Sequence, residues 1–233
     1  MIKEAVLLAG GFGTRLSKVV PDLPKPMAPV NGRPFIEYVM DFLIRQQVQR
    51  FILSVGYKHE AFASHFSNDY KDCQVLFSVE KEPLGTGGAI KKSLEFAESA
   101  EVLVLNADTL FRLDITTMQA SHKKTNADLT IGLRKMENVD RYGCVEIDDD
   151  LRVCGFTEKN ARKGPGYING GVYIFKKDFF DPLPLKEKFS LENDCLEKYF
   201  TTLKIGGFPA KGYFLDIGIP EDYEKAQHEL KGV

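Results

Sequence analysis

The sequence predicts an α/β protein with a doubly wound, mixed but mostly parallel sheet. Three observations predict it. Short apolar runs at 4–8, 50–55, 74–79 and 102–105 alternate with segments of helical periodicity, a βαβαβαβ order over residues 4–125. Two of these runs pass straight into glycine-rich turns, Gly10-Gly11-Phe12-Gly13 and Gly85-Thr86-Gly87-Gly88. An acidic residue, Asp108, stands just past the end of a third run. In an open α/β sheet, ligands bind outside the carboxyl ends of the strands, where these features fall.

Glu4-Ala5-Val6-Leu7-Leu8 reads as a buried parallel strand. Prolines at 21, 24, 26, 29 and 34 exclude a long helix before residue 35 and imply an ordered, extended connection. Residues 35–47 have helical periodicity, with Phe35, Val39, Phe42 and Leu43 on one face. A second strand over 50–55 ends at Gly56-Tyr57, and 58–68 reads as a helix whose His59 and His65 are surface or packing residues. A strand at 74–79, a helix at 89–97 and a central strand at 102–105 complete the alternation. Beyond it come a strand at 128–133 and a hairpin, 142–148 with 153–159, around Asp148-Asp149-Asp150. That acidic turn reads as solvated rather than metal-binding. Ser190 caps a helix over 190–200, short strands follow at 203–208 and 212–215, and a polar helix runs to about residue 231. The expectation is a single domain over 1–233, with halves at about 1–125 and about 126–233.

Net charge is −2, with 43% hydrophobic and 27% charged residues, so no global attraction to nucleic acid or an anionic membrane is implied. No apolar run approaches the ~20 residues of a membrane span. Met1-Ile2-Lys3-Glu4 leads directly into the first strand, so no signal peptide is expected and the predicted location is cytoplasmic. Cys73, Cys144, Cys154 and Cys195 are widely spaced and read as free thiols. A homo-oligomer is left open.

The first loop carries the chemistry. Backbone N–H groups across Leu8, Ala9, Gly10, Gly11, Gly13 and Thr14 can form a nest for phosphate. Arg15 adds a forked cation and Lys25 a point charge, both suited to phosphoryl oxygens. Two common phosphate motifs fail: a dinucleotide fingerprint needs glycine where Leu16 stands, and no Gly-Lys-Ser/Thr is present. Three glycines alone would equally suit a tight turn with solvated charges. An acid such as Asp108 beside phosphates calls for an intervening cation, for which a divalent metal with oxygen ligands serves. A helix N-cap is the structural alternative for Asp108.

The string Leu-Ala-Gly-Gly-x-Gly-Thr-Arg-Leu over 8–16, followed by Pro24-Lys25-Pro26-Met27, resembles the signature of the sugar-1-phosphate nucleotidyltransferases. Pro83-Leu84-Gly85-Thr86-Gly87-Gly88 resembles that family's nucleobase segment, and Asp216-Ile217-Gly218-Ile219-Pro220 its Asp-x-Gly-x-Pro segment. The resemblance implies a Rossmann-like, GT-A-like nucleotide-diphospho-sugar transferase fold. It implies that a sugar 1-phosphate attacks a nucleoside triphosphate and displaces pyrophosphate. By resemblance Arg15, Lys25 and Asp108 are catalytic, Glu80, Gly85 and Thr86 join the nucleotide site, and Asp108 with Asp216 holds Mg²⁺. Gly143, Glu158, Lys159, Asn169 and Gly170 would meet the sugar phosphate. Over the whole chain the likeness is to short D-glycero-α-D-manno-heptose 1-phosphate guanylyltransferases, which implies GTP as the triphosphate and a role in bacterial surface glycans. Uridylyl-, thymidylyl- and mannose 1-phosphate guanylyltransferases share the loops. A catalytically silent sugar-nucleotide-binding subunit is the reading of another class.

Overall fold

Runs that are apolar on every residue become strands covered on both faces. The computed structural model describes residues 1–11, 16, 20–139, 143–157 and 163–232. Its first part consists of β1 (Glu4–Leu8), β2 (Pro29–Val30), β3 (Arg33–Pro34), α1 (Phe35–Arg45), β4 (Arg50–Val55), α2 (His59–Phe66), β5 (Asp69–Tyr70), β6 (Cys73–Val79), α3 (Gly85–Leu94), β7 (Glu101–Asn106), β8 (Thr109–Phe111) and α4 (Ile115–Lys124). The second part adds β9 (Leu129–Met136), β10 (Cys144–Ile147), β11 (Val153–Thr157), β12 (Gly166–Lys176), α5 (Glu197–Tyr199), β13 (Ile205–Ala210), β14 (Phe214–Asp216) and α6 (Pro220–Glu229).

Among the described residues, ten strands share one sheet in the order β11-β10-β12-β7-β1-β4-β6-β5, with β9 beside β12 and β13 beside β9. β7, β1, β4 and β6 are parallel, whereas β12 runs antiparallel to β7. The two-residue period of the strands sorts the core into two layers. Ala5, Leu7, Phe51, Leu53, Leu103 and Leu105 pack with α1, while Val6, Ile52, Val102 and Val104 pack with Ile90 and Leu94 of α3. Among the described residues no helix is long and apolar enough to cross a membrane.

The structure corrects several boundaries. The helix predicted from Ala89 begins at Gly85 and takes three glycines into its first turn. Gly85 has φ +74°, and a Cβ there would lie 2.5 Å from the Phe189 carbonyl oxygen. A Cβ on Gly87 would lie 2.1 Å from the Phe189 ring. These glycines are dictated by the close approach of a segment a hundred residues further on. The helix expected over 190–200 opens as a wide π-type turn, Leu191–Leu196, and only α5 is α-helical. Asp108 is not a helix N-cap but lies in the turn from β7 to β8; the cap of α4 is Asp114, which accepts from the Thr117 N–H at 2.8 Å. Asp148 organises its acidic turn by accepting from the N–H groups of Asp150 and Arg152. His65 contacts Glu37 at 2.7 Å, a helix-packing role.

One charge is buried at the start of the central strand. Glu4 accepts from the N–H groups of Glu98 and Ser99 and from the Arg50 guanidinium. Burial alone would raise its pKa, but the Ser99 and Arg50 hydrogen bonds prevail and lower it. His122 is shifted down by burial, with only Thr130 Oγ1 bonded to its ring among the described residues. Both groups bind fewer protons when folded, so both lose stability as pH falls. The His122 contribution declines below its ordinary value of 6.5, the Glu4 contribution below 4.5. Denaturant melts of wild type should therefore lose stability on the acid side, and Glu4→Ala should make the loss below about pH 4.5 shallower and cost about 3 kcal/mol at neutral pH. An unchanged low-pH slope in Glu4→Ala would contradict this assignment. Gly87→Ala should lower the melting temperature, because overpacking of about 1–3 kcal/mol outweighs a helix-propensity gain of about 1 kcal/mol. A more stable Gly87→Ala would show that Phe189 yields freely.

Candidate active site

From β1 the chain steps outward to β4 and β6, then returns to β7 on the other side of β1. The strand order reverses between β1 and β7, which opens a crevice at their carboxyl ends. Three backbone hydrogen bonds extend the ladders past the strand ends: Ala9 N–H to Ser54 O at 2.8 Å, Glu80 N–H to Val55 O at 2.8 Å, and Ala107 N–H to Leu8 O at 3.1 Å. A cavity of about 450 Å³ fills this crevice. Leu8, Ala9, Gly10, Gly11, Lys25, Glu80, Gly85, Thr86 and Asp108 line it, all residues predicted from sequence. Pro26, Ser54, Pro83, Ala89, Asn106 and Gly218 also line it and were not assigned roles. Asn106 closes an apolar strand and Ser54 stands one residue before the end of another, and that position is the signal that could have found them.

The charge centre lies on the cavity wall. Antiparallel pairing of β14 with β8 sets Asp216 opposite Thr109, and the Ile217 N–H donates to the Asp108 carbonyl at 3.1 Å. Two carboxylates 108 positions apart thus share one corner. Lys25 starts a single 3-10 turn, Lys25–Met27, whose Pro26 and Met27 are buried. On the far side, Tyr223 and Gln227 of α6 donate to the Pro29 carbonyl and hold the proline-rich segment in place. Lys25 Nζ donates to Asp108 Oδ2 at 2.6 Å and to Asp216 Oδ1 at 3.5 Å, with 13% of its side chain exposed. Gly218 leaves room for the cluster: a Cβ there would lie 3.0 Å from Asp216 Oδ1 and 3.2 Å from Lys25 Nζ. Burial raises the pKa of Asp216, Lys25 opposes the rise, and the like charge of Asp108 reinforces it.

The opposite wall is the turn after β6. Glu80 Oε2 accepts from the Leu84 N–H at 2.9 Å, and Oε1 lies where a Cβ on Gly10 would approach within 2.7 Å. Gly10 therefore admits the Glu80 carboxylate to the cavity. The Thr86 hydroxyl is already committed: it accepts from the Leu191 N–H at 2.8 Å and donates to Glu192 Oε2 at 2.9 Å. Sequence reasoning missed Glu192, which it read only as part of a capped helix.

Of the residues predicted for the sugar phosphate, the described ones, Gly143, Asn169 and Gly170, are not among those that line this cavity. Asn169 accepts from the Gly171 N–H at 3.0 Å and donates to the Tyr173 hydroxyl at 2.8 Å, pinning an irregularity in β12. A Cβ on Gly170 would meet the Phe111 ring, and one on Gly143 would lie 3.3 Å from the Thr157 carbonyl. The bulge does back the cavity wall, since Gly171 lies against the Asn106 amide. Gly13, Thr14, Arg15, Glu158 and Lys159 lie outside the described residues.

The donor set suits a hard cation. Asp108 and Asp216 converge beside Lys25, and two carboxylates are hard oxygen donors of the kind that would hold a divalent ion. Among the described residues no group of three or more His, Cys, Asp or Glu forms, so the protein offers two carboxylates, and phosphate and water oxygens would complete the coordination.

Comparison with known proteins identifies the family. Residues 4–232 match the model of the nucleotidyl transferase family. The chain is 48% identical to D-glycero-alpha-D-manno-heptose 1-phosphate guanylyltransferase of Aneurinibacillus thermoaerophilus, covering 98% of each protein. It is 42% identical to the Campylobacter jejuni enzyme of the same name, over 94% of this chain and 96% of that protein. The crystal structure of HddC from Yersinia pseudotuberculosis complexed with GMP-PN superposes with a TM-score of 0.87 at 42% identity, covering 98% of this chain and 100% of that one. The chain belongs to the nucleotidyl transferase family.

Proposed function

We propose that this enzyme condenses GTP with D-glycero-α-D-manno-heptose 1-phosphate to give GDP-heptose and pyrophosphate, and does so in the cytoplasm. The observation that carries the reading is the Lys25–Asp108–Asp216 cluster, whose Lys25 and Asp108 line the cavity at the β1/β7 crevice. The names of the full-length relatives supply the substrates. A phosphate oxygen of the sugar phosphate attacks the α-phosphorus of GTP, and the bond from that phosphorus to the β-phosphate bridging oxygen breaks. The attacking phosphate is ionised at neutral pH, so no protein nucleophile or base is required. The protein's work is positioning and charge stabilisation.

Lys25 neutralises charge on the α-phosphate and on the incoming phosphate. Asp108 and Asp216 would hold Mg²⁺, which supplies Lewis-acid neutralisation of the phosphate oxygens when bound. Backbone N–H groups of Gly10 and Gly11 face the phosphates, with Arg15 assigned to the leaving pyrophosphate. The sugar phosphate is assigned to residues 126–233, where Gly143, Glu158, Lys159, Asn169 and Gly170 are its proposed contacts outside the residues that line the described cavity. Glu80 reads the base. An ionised carboxylate only accepts hydrogen bonds, and guanine offers two adjacent donors, N1–H and the 2-amino group, on its Watson–Crick edge.

Pyrophosphate release should be assayed with Mg²⁺ for four nucleoside triphosphates against heptose, mannose, glucose and N-acetylhexosamine 1-phosphates. Release with GTP and the heptose phosphate is expected. Preference for UTP or dTTP with another sugar would keep the reaction class and discard these substrates, and no release with any pair would leave a silent binding module. Lys25→Ala should keep the fold and lower kcat by about 10²–10³, the loss seen when one electrostatic donor is removed. Glu80→Gln replaces one acceptor by a donor. Its kcat/KM for GTP should fall at least about 100-fold relative to UTP, and an unchanged ratio would remove Glu80 from base recognition.

A further inference from the structure

Within the wall that carries Gly85 and Thr86, the Glu80 carboxylate holds the Leu84 N–H. The wall is also pinned from outside by the segment Glu187–Glu192. The Phe189 N–H donates to the Leu84 carbonyl at 2.9 Å, and the N–H groups of Gly87 and Gly88 donate to the Phe189 carbonyl at 3.1 and 3.3 Å. Two of the first N–H groups of α3, which helix geometry leaves without intrahelical partners, are thereby satisfied by that segment rather than left for a ligand. The last link is a pair of side chains: Thr86 takes the Leu191 N–H and gives its hydroxyl proton to Glu192 Oε2. The same carboxylate oxygen accepts from Ser190 Oγ at 3.2 Å, and Ser190 caps the following turn by accepting from the Asn193 N–H. Glu192 is thus fixed from its own helix and fixes Thr86 in turn.

From these contacts we infer that Glu192 is a positioning residue for the nucleotide, acting through the Thr86 hydroxyl rather than by touching the base. The inference rests on the proposed use of this wall for the nucleobase. A single hydrogen bond suffices because the remaining ties are backbone bonds at Leu84, Gly87 and Gly88, which leave Gly85-Thr86, the part facing the cavity, dependent on side-chain contacts. Glu192 also sits close enough to the buried Tyr173 phenol for its charge to act there, after burial, to raise the phenol pKa. Tyr173 is the partner of Asn169. The carboxylate therefore stands between the nucleotide wall and the β12 bulge behind Asn106.

The test uses the full chain and four variants: Glu192→Ala, Glu192→Gln, Thr86→Val and the double variant Glu192→Ala/Thr86→Val. GTP affinity is measured by calorimetry without sugar phosphate, followed by steady-state kinetics. Glu192→Ala and Thr86→Val should each raise the GTP Kd and KM about tenfold, the weight of one hydrogen bond, with kcat within about threefold of wild type. The double variant should be no worse than the poorer single variant, since both remove the same link. Glu192→Gln keeps an acceptor oxygen and should restore GTP affinity to within about threefold of wild type. Unchanged GTP affinity in Glu192→Ala, a loss confined to kcat, or multiplicative losses in the double variant would overturn the inference. Failure of the wild-type chain to bind GTP would instead remove the proposed function beneath it, and the two failures are read from different samples.

Discussion

The structure depends on holding three charged groups together at one corner of a mostly apolar sheet. Lys25, Asp108 and Asp216 come from a proline-rich loop, a strand end and a short strand near the carboxyl end of the chain. Bringing two carboxylates together is unfavourable, and burial adds a desolvation cost at Asp216. The cluster is therefore held by rigid parts: the buried Pro26-Met27 turn, the β8–β14 pair, and the α6 side chains bonded to Pro29. Stability supplied by the scaffold is used to keep charges where a phosphate chain can exchange them.

The second constraint is the way the two parts of the chain share the crevice. β12 adds to β7, antiparallel, on the side opposite β1, so a strand of the second part borders the crevice made by the first. Its bulge puts Gly171 against Asn106, and the segment after it returns to pin the turn after β6. The parallel half supplies the loops, and the later half sets their shape.

Legibility in the sequence followed how local each signal was. The parallel strands were readable because runs such as Val102–Leu105 are apolar on both faces, and α1 because Phe35, Val39, Phe42 and Leu43 recur at helical spacing. Lys25, Asp108 and Asp216 were readable as residues, from strand-end position and motif, but their direct ion pairing was not, since it needs β14 to find β8. Gly85 was read as ligand-facing and does line the cavity, but Phe189 and the Glu187 carbonyl, which occupy the space where Cβ atoms at 85, 87 and 88 would be, were not legible. No local pattern at residue 87 reveals a phenylalanine a hundred residues later. Glu192 was hidden for the same reason, behind a capping signal that Ser190 does fulfil. Asn169 was expected at the sugar, and its bonds to Gly171 and Tyr173 within its own strand were not legible in the sequence.

The central claim is that reaction at this corner is a single in-line displacement directed by fixed charge, with no covalent step on the protein. The direct measurement is the stereochemical course at the α-phosphorus, with a single diastereomer of GTP carrying sulfur on that phosphate as substrate. One displacement inverts the configuration, and inversion is the predicted result. Retention would require two displacements through a nucleotidyl-enzyme intermediate and would contradict the role given to Lys25, Asp108 and Asp216.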